Sequence, residues 1–240
     1  MAAPMLSLPA IDIRPDPSAV GSKFEPDGRL KRFPGNTILC PVPEGHPAMA
    51  PLCAMQAALA ASAAGRHLSL LPPSSFHMTV FEGVCDHLRQ DGRWPNDAGD
   101  RDLAALTRDF AVLLRREAAP LPIRMRPLQV GGRQGLGLVL EGADAAVERR
   151  LRGFRDRASH LLGLRRPEHD SYLFHITLAY FITAPDEAEL AALRHAAASA
   201  TAAFRAALPV FSLPAPSLTT FEDMGAFLPV LTLREDPALA

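Results

Sequence analysis

The chain has 240 residues, with 26 acidic and 25 basic side chains, a formal net charge of −1 and 48% hydrophobic content. That is ample apolar material for a substantial core, while the balanced charge gives no global field for duplex DNA and no apolar run is long enough to span a bilayer. Three cysteines, odd in number and without C-x-x-C spacing, argue against a disulfide framework or a cysteine zinc site and for a reducing, cytoplasmic setting.

Residues 1–20, rich in proline and small side chains, read as a flexible N-terminal arm without the basic and apolar regions of a signal peptide. That leaves 21–240 as one domain. A first strand is predicted from Asn36 to Val42. Proline and glycine punctuation follows, then an alanine-rich helix from Pro47 to Ala64. A short strand over 67–71 leads through Pro72-Pro73 to a strand from Phe76 to Val84. The polar stretch from Asp91 to Asp100 holds the single tryptophan, Trp94. Asp100 or Asp102 is placed to cap a helix reaching Glu117, with Leu103, Leu106, Phe110, Leu113 and Leu114 on one face. Leu121–Val130 and Leu136–Glu141 read as strands joined by Gly131-Gly132-Arg133-Gln134-Gly135. This glycine cluster lacks the G-x-x-x-x-G-K-[ST] pattern and is a hairpin turn. A helix over Asp144–Leu162 precedes a strand over Tyr172–Ile182. A second alanine-rich helix follows over Asp186–Ala207. Pro209–Leu213, Ser217–Glu222 and Phe227–Leu233 are closing strands. Cys40 and Cys85 sit in apolar runs and are expected to be buried thiols. Arg149, Arg150, Arg152, Arg155, Arg157, Arg165 and Arg166 read as solvated helix surface. Helices interspersed with strands, ending in a β-rich segment, point to an α+β fold with mainly antiparallel sheets.

One five-residue phrase occurs twice, as Phe76-His77-Met78-Thr79-Val80 and as Phe174-His175-Ile176-Thr177-Leu178. In a strand, residues two apart share a face. His77 and Thr79 therefore face one way and Met78 and Val80 the other, and the second copy repeats this. Each strand can bury its aliphatic residues and present an imidazole and a hydroxyl to a cleft. Imidazole titrates near neutral pH, so two of them can divide the work of general base and general acid. Two threonine hydroxyls beside them suit a tetrahedral anion. A single His-x-Thr is ordinarily structural; the matched second copy makes chance a poor explanation.

The duplicated H-[aliphatic]-T-[aliphatic] resembles the signature of the two-histidine (2H) phosphoesterase superfamily, which includes RNA 2′,3′-cyclic phosphodiesterases and 2′-5′ RNA ligase-like proteins. The histidines lie 98 residues apart, compatible with one motif in each of two lobes. Arg32-Phe33-Pro34-Gly35-Asn36-Thr37 and Leu71-Pro72-Pro73-Ser74-Ser75 also resemble a poorly characterised bacterial branch of that superfamily. The resemblance implies a bilobal domain of two similar lobes, each a sheet backed by helices, with the active site in the cleft between them. It implies a metal-independent phosphodiesterase with no cofactor. Its substrate would be a 2′,3′-cyclic phosphate or related 2′-linked phosphodiester on a small nucleotide or RNA end, with neither duplex DNA nor membrane as partner.

The residues assigned to the chemistry are His77 and His175 as acid and base, in an order the sequence leaves open, and Thr79 and Thr177 as phosphate ligands. Phe81, four residues after His77, should share its face in an unbroken strand and wall the substrate. Tyr180, five after His175, should face the core. Arg32 and Asn36, at the start of the first strand, are further candidates for substrate contact. Two rival readings stand beside this one: a nucleotide- or RNA-end-binding module without turnover, and a metal-dependent hydrolase using the same histidines as ligands. The sequence sets no oligomeric state.

Overall fold

Residues 11–89 and 92–234 are described by the computed structural model. Their strands are β1 (Gly35–Pro41), β2 (Leu68–Leu70), β3 (His77–Cys85), β4 (Ile123–Gly132), β5 (Gly135–Gly142), β6 (Phe174–Phe181), β7 (Phe211–Leu213), β8 (Ser217–Phe221) and β9 (Leu228–Thr232). The helices are α1 (Met49–Ala60), α2 (Leu103–Leu114), α3 (Ala145–Leu162) and α4 (Glu187–Ala207). Every predicted element is present, with ends moved by a few residues. The helix starts follow the predicted chemistry. The Asp102 carboxylate accepts from the Ala105 amide, and Asp144 accepts from Ala146 and Val147. Asp186 and Glu189 form a reciprocal capping box on α4.

The strands form one sheet in the order β7-β4-β5-β6-β3-β1-β8-β9, with β2 added to the free flank of β6. Every strand pairing is antiparallel. The motif strands β3 and β6 lie at the middle of this order and pair with each other through Met78 and Ile176. The two lobes are thus two four-stranded halves of one α+β sheet, continuous because the motif strands themselves meet at the seam. Helices α1 and α4 pack together, α1 against β2 and β6 and α4 against β4. Helix α3 packs on β3, β4 and β5, and α2 on α3 and β1. Met78, Val80, Ile176 and Leu178 have no solvent exposure, and burying each contributes roughly 1.5–3 kcal/mol. The motif strands are therefore fixed through the face opposite their histidines. No helix of the described residues is long and apolar enough to cross a membrane.

Two expectations change. The arm expected over 1–20 is packed wherever it is described, residues 1–10 lying outside the described residues. Ile13 is buried, the Arg14 amide donates to Gly132 O, and Gly132 N donates to Asp12 O. Gly131 admits this contact: a Cβ there would lie 2.7 Å from Ile11 Cγ2. The arginines of α3 are also not uniformly solvated. Arg155 is 1% exposed, and its Nη1 donates to Val80 O at 2.8 Å. Cys40 and Cys85 are buried thiols, as their apolar runs predict.

Candidate active site

The seam brings the duplicated motifs together. In the antiparallel register set by Met78 and Ile176, His77 stands across from Thr177 and Thr79 from His175. All four lie on the face opposite the buried Met78 and Ile176, and all four line one cavity of about 190 Å³. A broader cavity of about 640 Å³ adjoins it on the His175 side and shares His175 and Thr177.

Both strands carry a β-bulge at the same place in the motif. Leu39 and Ile38 of β1 pair with Thr79 and Phe81, leaving Val80 as the extra residue. Gly137 and Leu136 of β5 pair with Thr177 and Ala179, leaving Leu178 as the extra residue. A bulge reverses the alternation beyond it. Phe81 is accordingly turned into the core at 3% exposure, near Arg155 and His169, rather than walling the substrate. The fifth residue after each histidine faces the cavity instead: Glu82 in β3 and Tyr180 in β6. Strict alternation therefore misplaces both Phe81 and Tyr180. Each bulge carbonyl is answered by a buried helix side chain. Arg155 of α3 donates to Val80 O, and Gln56 of α1 donates to Leu178 O at 2.7 Å.

The imidazoles are held alike. His77 Nδ1 lies 2.7 Å from Ser75 O, and His175 Nδ1 lies 2.7 Å from Leu173 O. A carbonyl only accepts, so Nδ1 carries the proton and Nε2 of each neutral ring keeps its lone pair. Burial lowers the pKa of His77 to about 4, with a smaller contribution from the nearby His175, against the Ser75 carbonyl. Burial also lowers that of His175, where Glu82 and the Leu173 carbonyl work against it. Their neighbours differ. The Phe227 ring packs 4.2 Å from that of His77, whereas His175 has the Tyr172 ring at 6.0 Å. In the free protein both rings are neutral at pH 7.

The charged side chains here were absent from the sequence assignment. Arg166 Nη1 lies 3.1 Å from the Glu82 carboxylate, and its Nη2 donates to Gly83 O at 2.9 Å. Arg166 thus belongs to the cleft wall and not to solvated surface. Lys23 Nζ lies 3.5 Å from Tyr180 Oη, over the rings of Tyr180 and Phe33. Tyr172 donates to Thr79 O at 3.4 Å. No short-range signal marks Glu82, Arg166, Lys23 or Tyr180, because bulges and distant loops bring them in.

The two remaining candidates are engaged with other protein groups, although Asn36 also lines the cavity of the motif residues. Asn36 is 1% exposed; its Nδ2 donates to Thr107 Oγ1 and its Oδ1 accepts from Val84 N. Its polar atoms are thereby spent tying α2 and β3 to β1. Arg32 lies at the surface, paired with Glu222 at 3.0 Å, both side chains over 70% exposed. As to metal ligands, the one cluster of three or more among the described residues is Asp156, His169 and Asp170. It excludes both motif histidines, and Arg165 pairs with both of its aspartates.

Residues 23–134 match a family model named 2H-phosphodiest, described as a domain of unknown function (DUF1868). Among solved structures, the conserved protein of unknown function ATU0111 from Agrobacterium tumefaciens str. C58 is 28% identical. It aligns with a TM-score of 0.85 over 90% of this chain and 92% of that one. TT0787 of Thermus thermophilus aligns at 18% identity and a TM-score of 0.47, over 84% of this chain and 98% of that one. A structure titled only as a phosphoesterase aligns at 10% identity and a TM-score of 0.47, over 85% of this chain and all of that one. No curated protein matches.

Proposed function

We propose that this chain, whose residues 23–134 match the 2H-phosphodiest family model, is a two-histidine (2H) phosphoesterase that hydrolyses a 2′,3′-cyclic phosphate or a related 2′-linked phosphodiester of a nucleotide or RNA end, without a metal. The observation that carries this reading is the meeting of His77, Thr79, His175 and Thr177 on one side of the Met78–Ile176 seam. Each Nδ1 is committed to a backbone carbonyl, so each Nε2 is free for proton transfer.

The proposed reaction uses one imidazole of each protonation state. A neutral Nε2 takes a proton from water as the water oxygen bonds to phosphorus. The opposite imidazole, protonated, gives its proton to the ribose oxygen as the P–O bond breaks. Both rings are neutral in the free protein, so the anionic substrate has to draw the acid's proton in with it, since a nearby negative charge favours the imidazolium. Thr79 and Thr177 donate to the non-bridging oxygens, most strongly as charge grows in the transition state. Glu82 favours a proton on His175, while Phe227 packs against His77. That asymmetry supports His175 as the acid and His77 as the base in hydrolysis. By family resemblance the product retains the 2′-phosphate.

The test is hydrolysis of the four nucleoside 2′,3′-cyclic phosphates in excess EDTA by wild type, His77→Ala and His175→Ala. Each substitution is expected to reduce kcat on the order of 10²–10⁴-fold. Full turnover in either folded variant contradicts the paired-imidazole reaction. Wild type that binds these nucleotides but never turns them over makes the cleft a binding module. Activity abolished by EDTA and restored by one divalent metal makes it a metal site.

A further inference from the structure

We propose, resting on the phosphodiester reading of this cleft, that Lys23 is the cation that binds the substrate's phosphate, delivered to the cleft by the N-terminal segment 11–24. Two neutral imidazoles and two threonines supply hydrogen bonds but no permanent positive charge. An anion leaving water for a partly enclosed site needs a compensating charge as well as donors.

Five cationic side chains line the two adjoining cavities: Lys23, Arg14, Arg93, Arg133 and Arg166. Arg166 is held by Glu82 and the Gly83 carbonyl. Arg14 pairs with Asp12, Arg133 with Asp16, and Arg93 with Glu168, at 3.4–3.6 Å. Among the described residues, Lys23 alone of the five has no carboxylate within 4.0 Å. Its ammonium is steadied by aromatic faces, 5.1 Å from the Tyr180 centroid and 5.4 Å from that of Phe33. Such contacts orient a cation without neutralising it. Lys23 lines both cavities and so stands where the catalytic cleft opens into the broader one.

The chain invests structure in this placement. The next residue, Phe24, has no exposure and packs its ring 4.9 Å from that of Tyr180. Lys23 N donates to Ala19 O, and Lys23 O accepts from Lys31 N. Upstream, the segment is bonded to the β4–β5 hairpin through Arg14, Asp16 and Asp12. These anchors hold the lysine stem at the cavity mouth, so its charge is in position before an anion arrives.

The experiment compares full-length wild type, Lys23→Met and Lys23→Arg. Methionine keeps an apolar stem against the two rings; arginine keeps the charge. Three quantities are read: the affinity for inorganic phosphate by calorimetry at low ionic strength, the pKa of His175 by NMR, and turnover of the cyclic nucleotides. Lys23→Met is expected to weaken phosphate binding roughly 10- to 100-fold, as for a lost charged hydrogen bond, with Lys23→Arg recovering most of it. In free Lys23→Met the His175 pKa is expected to rise, since the lysine charge opposes the imidazolium. The pKa rise reports only that the Lys23 charge stands near His175; a purely structural lysine does not predict the loss of phosphate affinity with its rescue by arginine.

Phosphate affinity of Lys23→Met within twofold of wild type overturns the assignment, and leaves the hydrolase reading intact if turnover persists. Phosphate binding that requires Lys23 in a protein without turnover sustains the assignment and removes the hydrolase reading. Wild type that binds no phosphate at millimolar concentration overturns the assignment, and turnover of the cyclic nucleotides then decides the hydrolase reading by itself. If Lys23→Met is unfolded by circular dichroism, a wild-type phosphate affinity that does not fall as salt rises overturns the assignment, and one that falls with Lys23→Arg retaining it sustains it.

Discussion

Each motif imidazole has its tautomer chosen by a carbonyl two residues earlier, just before its strand, at Ser75 and at Leu173. This leaves two equivalent bases; what separates them is their neighbours. Glu82 stands near His175, Phe227 near His77. The dependence of kcat/KM on pH should therefore be a bell, its two limbs belonging to the pair. Glu82→Gln removes the charge that favours the His175 imidazolium and leaves the Lys23 charge, which opposes it. The pKa of the proposed acid falls, so the alkaline limb should move to lower pH. Steady-state rates from pH 3.5 to 9 check this, a range that includes the His77 limb near 4. A flat profile in wild type contradicts the two-imidazole reaction, and an unmoved alkaline limb in Glu82→Gln contradicts the roles assigned to the two rings.

The motif strands act as elements through their bulges. At Val80 and Leu178 the extra residue turns the fifth position after each histidine toward the cleft, and the carbonyls of both extra residues take side-chain donors, that of Leu178 beside the Leu71 amide. Arg155 and Gln56 answer those carbonyls from two different helices. Gly83 serves the same region of β3: a Cβ there would lie 2.0 Å from Asn36 Oδ1, the atom that accepts from Val84. Arg155→Met and Gln56→Leu each strip a buried carbonyl of a donor, and each is expected to cost about 1–3 kcal/mol. Both should reduce turnover further by loosening the placement of Glu82 or Tyr180. Urea midpoints and rates of the two variants check this; unchanged midpoints would mean that the bulges hold without their helical partners.

The molecule as a whole carries the two motif histidines as half-buried neutral groups, and that couples folding to pH. An unfolded histidine titrates near pH 6.5, whereas folding lowers the pKa of His77 to about 4 and that of His175 also downward. Between those values the unfolded chain holds more protons, so stability rises with pH. The contribution is fully present above about pH 6.5 and is lost as pH falls toward 4. Denaturant midpoints should drop from pH 7 to pH 4.5 in wild type, and drop less in His77→Gln, which lacks one of the two groups. Parallel declines would show that His77 does not drive the acid sensitivity.

The order of elements, the helix caps at Asp102, Asp144 and Asp186, and the four motif residues were legible in the sequence. All of these are local. A side-chain cap acts across three residues, a strand face repeats every two, and a duplicated phrase is visible wherever it folds. Local periodicity also placed the aliphatic half of each motif in the core, which is why the histidine face was correctly assigned. It failed at Phe81 and Tyr180, because a bulge is a mismatch between two strands and neither strand records it alone. It also failed at Arg155 and Arg166, read as solvated, whose partners lie 75 and 84 positions away, and it is silent on the partner of Asn36, 71 positions away. Tertiary structure alone decided that the motif strands pair at Met78 and Ile176, that the N-terminal segment lies against the β4–β5 hairpin, and that Lys23 reaches the cleft. The physical reason is the same throughout. Chemistry-bearing groups in this cleft are set by contacts distant in sequence, while composition and periodicity report only what neighbours along the chain require.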